Sequence, residues 1–286
     1  AFSELLDDLD DTFLSTSYQD HLISLMRVAW NVNTQKPQLQ RKYIYNRIAT
    51  EFAGFGIRAL FEQTDRKVDE LGSYTIGGIR FAQFIRIEED FRYYRRFDEK
   101  NSIATRFHGG VGFTGANLRV LPFEKSFYGG GANAIRAWRP RTLGPGSWRD
   151  STALVTYSNL GDLLLEASFE YRFDLTETLE GAFFVDAGNI WLMRADATKP
   201  GANFEVNRFI SELAVSGGLG FRFDFEFFLV RLDIGAQLKD PAKVVGERWF
   251  WEPKSDYARF VEEVTGNPNY RYRPEIGVNF GIGYPF

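Results

Sequence analysis

The chain has 286 residues, with 34 basic and 38 acidic side chains and a formal net charge of -4. This balance argues against a nucleic-acid-binding protein, which normally carries a basic stripe. Cysteine is absent, which excludes disulfides and thiolate metal sites, and with only His21 and His108 a zinc site of the HExxH type is excluded as well. We therefore expect neither a metal nor another cofactor.

The aromatic content narrows the fold class. Phe, Trp and Tyr make up 16% of the residues, yet the mean hydropathy is only -0.28. No run of 18 apolar residues occurs, so a transmembrane helix is excluded. Two classes of protein have such a composition: a soluble β-sandwich, and an outer-membrane barrel whose strands alternate apolar and polar residues.

Along the chain, residues 3 to 13 (SELLDDLDDTF) predict a short loop helix, with Ser3 as a possible N-cap. Residues 255 to 264 (SDYARFVEEV) predict another. Between and after them, alternation of apolar and polar residues predicts nine strands: 19–32, 41–54, 76–96, 101–114, 162–174, 180–193, 210–224, 227–239 and 275–286.

Strand length and loop length favour the membrane barrel over the sandwich. The alternating runs last about 10 residues or more, as tilted membrane strands require, whereas soluble strands cluster near about 5–6. The connections between them alternate between long and short along the chain. Outer-membrane barrels have this asymmetry, with short periplasmic turns and long external loops. We therefore predict an all-β fold, a transmembrane antiparallel β-barrel.

The long connection 115–160 contains the stretch GGGANAIRAWRPRTLGPGSW. Its tetrapeptide Ile135-Arg136-Ala137-Trp138 resembles the Val-Arg-Gly-Phe motif of the BamA/TamA outer-membrane assembly-factor (bacterial surface antigen) superfamily. FFVDAGNIW (183–191) is similar to the Phe-x-Asp-x-Gly strand of that family, and the last strands resemble its closing strands. Within the family, the stretch looks most like the TamA-like lipoproteins of Bacteroidota.

The resemblance implies that the external loop folds back into the barrel lumen, where Arg136 binds acidic side chains of the inner wall. Strand parity places Glu170 and Asp186 on the inner face of adjacent strands, so they are the predicted partners. A guanidinium between two carboxylates would form charge-assisted hydrogen bonds. The alternative is that Arg136, Arg139 and Arg141 are solvated loop charges.

The resemblance also implies a lateral gate at the C-terminal strand, with Phe280, Gly281, Gly283, Tyr284 and Phe286 as its residues. Alternation predicts that this strand continues to Phe286. Its glycines either weaken the seam, because interior glycine destabilises a strand, or give room to the inserted loop.

Two further motifs are not functional on this interpretation. Gly110, Gly112 and Gly115 match GxGxxG, but they lie late in a strand and lead into a loop, whereas a dinucleotide fingerprint opens a helix. His108 lies on the inner face without a serine partner. We therefore expect no catalytic residue and no enzymatic activity in this chain.

Nine strands are fewer than the sixteen of the family, and single-chain bacterial barrels have an even number. We expect residues 1–286 to be the C-terminal part of one barrel domain, with upstream strands and periplasmic modules before it; a complete smaller barrel is the alternative.

The resemblance implies a multi-pass protein of the bacterial outer membrane that inserts or exports client β-proteins through the barrel seam. Its partners would be outer-membrane lipids, the clients, and periplasmic or lipoprotein subunits, without nucleic acid. The alternatives are a passive channel or porin, and the barrel anchor of an enzyme-bearing fusion.

Overall fold

The computed structural model describes residues 20–36, 40–64, 66–69, 72–148, 159–243, 245–252 and 275–286. The helices predicted at 3–13 and 255–264 lie outside these residues. In chain order the elements are β1 (His21–Leu22), β2 (Leu25–Asn33), β3 (Lys42–Ala53), α1 (Phe55–Gln63), β4 (Thr75–Ile76), β5 (Ile79–Phe81), β6 (Phe84–Arg96), β7 (Asn101–Thr114), β8 (Leu163–Asp174), β9 (Leu179–Trp191), β10 (Ala214–Asp224), β11 (Leu229–Lys239) and β12 (Ile276–Ile282).

Nine of these strands form a single sheet in the order β2-β3-β6-β7-β8-β9-β10-β11-β12, and every neighbouring pair is antiparallel. The nine correspond to the nine strands predicted by alternation, so the predicted all-β antiparallel fold is confirmed. Within the described residues, β2 and β12 each have one edge that pairs with no other strand. These residues also include no helix that is long and apolar enough to cross a membrane.

Three predicted strands begin too early. The strand predicted at 210–224 starts only at Ala214, after a turn over residues 206–212, and those predicted at 19–32 and 76–96 begin outside the main sheet. The strand predicted at 76–96 is interrupted because Gly77 and Gly78 adopt positive φ angles of 60° and 85° and reverse the chain. Residues on either side of this turn form β4 and β5, which join β1 in a separate three-stranded sheet. The main-sheet strands therefore start only at Phe84 and Leu25.

The last strand is also shorter than predicted, because it ends at Ile282 although the alternation in the sequence continues to Phe286. Gly283 has a φ of 80°, which turns the chain away from the sheet after Ile282. As a result, Tyr284 does not continue the outer face of β12. Its ring lies 4.1 Å from the guanidinium of Arg172. Phe286 is buried rather than exposed.

The connections lie at two ends of the main sheet. One end, called here the turn end, holds the short connections 34–41, 97–100, 175–178 and 225–228. The opposite end, the loop end, holds the long connections 54–83, 115–162, 192–213 and 240–275. The predicted alternation of long and short connections is therefore present. Because antiparallel neighbours are joined in sequence order, successive connections lie at opposite ends, and the long ones therefore share one end of the sheet.

The two faces of the sheet have opposite polarity. On the outer face, Phe183, Leu219, Ile234 and Val278 form one row across four strands, and all of them are exposed. The inner face, which carries Glu170 and Asp186, buries charged side chains almost completely: Glu166, Glu170, Arg172, Asp186, Arg222, Arg231 and Asp233. A water-soluble protein has the reverse arrangement. The polarity fits a sheet whose outer face contacts hydrocarbon.

Candidate functional site

The segment between Gly129 and Leu143 folds into a compact turn within the connection 115–162. Gly129 and Leu143 form an isolated antiparallel bridge, and the amide of Gly131 donates to the carbonyl of Trp138 at 2.8 Å. Gly130 has a φ of 86°, and a Cβ atom there would overlap the carbonyl oxygen of Arg139. Glycine is therefore needed at this position, and the turn projects residues 135–138 away from its base.

Apolar side chains hold this turn against the sheet. Ile135, Ala137, Trp138 and Leu143 form one buried cluster with Ala214 at the start of β10. Burial of one large apolar side chain stabilises the folded state by about 1.5–3 kcal/mol. The whole tetrapeptide 135–138 is buried, including its arginine.

Arg136 lies between the two predicted acidic side chains. Its Nε and Nη2 donate to the two carboxylate oxygens of Asp186 at 2.9 and 2.8 Å, a bidentate arrangement, and Nη1 donates to Glu170 Oε2 at 2.6 Å. The Arg136 amide also donates to Asp186 Oδ2 at 3.1 Å. The guanidinium carbon is 3.5 Å from the centre of the Phe184 ring. The side chains of Arg136, Glu170 and Asp186 are at most 1% exposed.

Further arginines surround Glu170 and extend the network to Asp233. Glu170 Oε1 is 2.7 Å from Arg172 Nε and 2.9 Å from Arg222 Nη2. Arg222 Nη1 in turn lies 3.0 Å from Asp233 Oδ1. Because these groups are buried and Glu170 and Asp233 each pair with several arginines, loss of one member leaves the others incompletely compensated.

A row of glycines makes space for the loop. Phe184, Gly218, Gly235 and Gly277 are in register on β9 to β12. A Cβ atom on Gly218 would approach Phe184 Cζ to 2.6 Å, and one on Gly277 would approach the Arg136 carbonyl oxygen to 2.7 Å. Both distances are too short for a real Cβ contact. Gly235 and Gly277 therefore form a Cβ-free floor on which the Arg136–Ala137 backbone lies, and Gly218 makes room for the Phe184 ring.

The beginning of the same loop has a second attachment on the inner face, to strands near the β2 edge of the sheet. Lys125 Nζ donates to Glu51 Oε2 of β3 at 2.9 Å, and the Lys125 carbonyl accepts from Arg86 Nε of β6 at 3.1 Å. The Arg86 guanidinium also stacks 4.1 Å from the centre of the Phe127 ring. The loop thus crosses the inner face and contacts strands from β3 to β12.

The motifs rejected from sequence have structural partners. Gly110 and Gly112 lie in β7, where Cβ atoms would overlap Phe127 and Leu121 of the inserted loop. His108 lies between Glu88 and Glu166, with Nε2–Oε1 and Nδ1–Oε2 distances of 3.0 and 3.1 Å. In the part of the chain that the structure describes, no group of three or more His, Asp and Glu residues is arranged to hold a metal ion.

The predicted gate residues separate into two groups. Phe280 and Gly281 belong to β12, where Phe280 is 75% exposed on the outer face and Gly281 lies against Arg231. Gly283, Tyr284 and Phe286 follow the end of the strand. Of the two explanations for the glycines, Gly277 has the contacts expected if it gives room to the loop.

Several residues of the site were not identified from sequence. Phe184, Arg222, Asp233 and Asn279 all have inner-face parity, which was the available signal. Parity does not indicate which of these side chains reaches Arg136. The loop residue Asn133, which accepts from Arg231 Nη2 at 2.7 Å, lacked even that signal.

Comparison with known proteins identifies the family of this chain. Residues 27–286 match the family model of the Omp85 superfamily domain. Over 90 residues, 29% of this chain and 11% of the relative, the chain is 31% identical to the outer membrane protein assembly factor BamA of Neisseria meningitidis serogroup B.

Among solved structures, BamA of Haemophilus ducreyi lacking POTRA domains 1–3 matches with a TM-score of 0.53 and 14% identity. That match covers 77% of this chain and 39% of the other, so each alignment spans well under two thirds of the relative. At this identity the structural likeness concerns the fold alone. Since the family model covers nearly the whole chain, the protein belongs to the Omp85 superfamily.

Proposed function

We propose that this protein is an outer-membrane assembly or translocation factor, which inserts or exports client β-proteins and performs no covalent chemistry. The observation that carries the proposal is the loop held by Arg136, Glu170 and Asp186 across the inner face of the sheet. A loop that covers the inner face leaves little room for a wide pore, and this suits a protein that acts at the wall of its barrel. The relative from Neisseria meningitidis is itself an assembly factor.

The place of action would be the free edge of β12. This strand pairs with β11 from Ile276 to Ile282, and among the described residues its other edge has no partner. An unpaired strand edge offers backbone donors and acceptors to an incoming strand. We propose that a client strand adds at this edge. We also propose that this sheet is the C-terminal part of a larger barrel, because β2 and β12 each have an unpaired edge among the described residues.

The polarity of the sheet supports a proposed orientation of the protein in the membrane. The apolar outer face would contact lipids of the bacterial outer membrane, with the chain crossing it several times. The long connections would face the exterior, and the turn end would face the periplasm, where lipoprotein or other periplasmic subunits would bind.

The test is a reconstitution of the full-length protein in liposomes with a urea-unfolded β-barrel client. We expect the client to fold severalfold faster than in liposomes that contain an unrelated closed barrel, because the seam supplies a template edge. Client folding is read from the heat-modifiable shift on a gel. Folding at the control rate, together with a large and steady conductance in planar bilayers, would support a passive channel instead.

A further inference from the structure

We propose that Asn279 is a positioning residue that ties the last strand to the inserted loop. Arg136 with Glu170 and Asp186, called here the Arg136 cluster, would then determine where the β12 edge lies. The contact is independent of any client. Its importance for client handling rests on the function proposed above.

The bond joins the inner side of β12 to the backbone of the arginine. Asn279 Nδ2 donates to the carbonyl oxygen of Arg136 at 2.8 Å. The amide and the guanidinium of Arg136 donate to Asp186 on β9. One residue therefore bridges β9 and β12, two strands that are separated by β10 and β11 in the sheet.

Neighbouring contacts hold the same stretch of backbone in place. Gln237 Nε2 of β11 donates to the Ala137 carbonyl at 3.3 Å. Gly277, two residues before Asn279 on the same face, lets the Arg136 carbonyl approach closer than any other residue type would allow. The carbonyl thus stands within reach of Asn279 because the floor beneath it has no side chain.

A single hydrogen bond matters here because β12 has few other attachments. The strand has seven residues, and its outer side chains Ile276, Val278, Phe280 and Ile282 are all more than half exposed. In the sheet as described, it is paired on the β11 side only. Asn279 therefore adds a side-chain hydrogen bond that joins β12 to the loop on the inner side of the strand.

The test is backbone hydrogen exchange of the full-length protein, measured without client. Asn279→Asp keeps the shape but replaces the donor by a carboxylate that repels the Arg136 carbonyl. We expect amides of residues 276–282 to exchange about three- to tenfold faster, the range that one net hydrogen bond corresponds to. Residues 179–191 should be unchanged. Val278→Ala, on the outer face of the same strand, is the matched control and should have little effect.

Measuring the effect of Asn279→Asp with and without Arg136 distinguishes coupling between these two residues from a simple loss of strand stability. In an Arg136→Lys background the bidentate side-chain bonds to Asp186 are lost, so the carbonyl of residue 136 is held less firmly. Asn279→Asp should then change exchange in 276–282 by less than about twofold, since coupled residues are non-additive. If that background does not fold, Gly277→Ala, which displaces the same carbonyl, takes its place. Unchanged exchange in Asn279→Asp, or an equal effect in both backgrounds, would overturn the proposal. If the two residues show the expected coupling but the protein does not accelerate client folding, only the proposed function is refuted.

Discussion

Arg136→Ala is expected to lower the free energy of unfolding by about 3–5 kcal/mol, the usual cost of removing one partner from a buried ion pair. The variant leaves Asp186 without its bidentate partner and Glu170 without its shortest contact, both fully buried. The quantity to measure is the urea midpoint of the full-length protein in lipid, followed by its heat-modifiable mobility.

Two variants define what the arginine contributes. Arg136→Lys keeps the charge but loses the planar fork, so it should recover only part of the stability. Arg139→Ala removes an exposed arginine from the same turn and should change the free energy of unfolding by less than about 0.5 kcal/mol. Equal effects of Arg136→Ala and Arg139→Ala would mean that the cluster does not hold the loop.

Asp186→Lys is expected to cause the largest loss of function, because it places an ammonium group beside Arg136 in a buried site. The loop should leave its position on β9, and the contact of Arg136 with β12 should be lost with it. In cells that depend on the variant, we expect the steady-state level of outer-membrane β-barrels to fall severalfold, as measured by quantitative proteomics of outer membranes.

Asp20→Lys is the matched control, since it makes the same change of charge at an exposed aspartate. Cells with this variant should keep normal levels of client proteins. Normal client levels in cells with Asp186→Lys, at equal abundance of the variant, would contradict a functional role for the cluster.

The strands could be predicted from sequence because membrane strands alternate over their full length, and the alternation of residues 163–173 is an example. Their ends could not be predicted in the same way. Alternation continues through Gly77-Gly78 and through Gly283, whereas positive φ angles at these glycines turn the chain out of the main sheet. A period of two describes which face a residue occupies, but contains no information about backbone angles.

The site could be predicted from sequence to a similar extent. Parity and the family motif pointed to Glu170 and Asp186 as partners of Arg136, and the structure brings the three together. Which loop arginine is buried depends on the packing of Ile135 and Trp138, which a composition rich in Arg and Gly does not reveal. The contact between Asn279 and Arg136 depends on the register between β11 and β12 and on a loop that is distant in sequence. The residues around Asn279 therefore do not indicate it.

The position of the loop can be measured most directly by disulfide trapping in native membranes, because the chain has no cysteine of its own. A Cβ atom on Gly235 would lie 3.4 Å from the amide nitrogen of Ala137, so residues 137 and 235 are direct neighbours. We expect cysteines introduced by Ala137→Cys and Gly235→Cys to reach each other after a small adjustment of the loop. We predict that this pair forms a disulfide readily. The pair Ala137→Cys and Ile234→Cys should not, since Ile234 is exposed on the outer face. Failure of the first pair to cross-link, or equal cross-linking of both, would contradict a loop held against the inner face of the sheet.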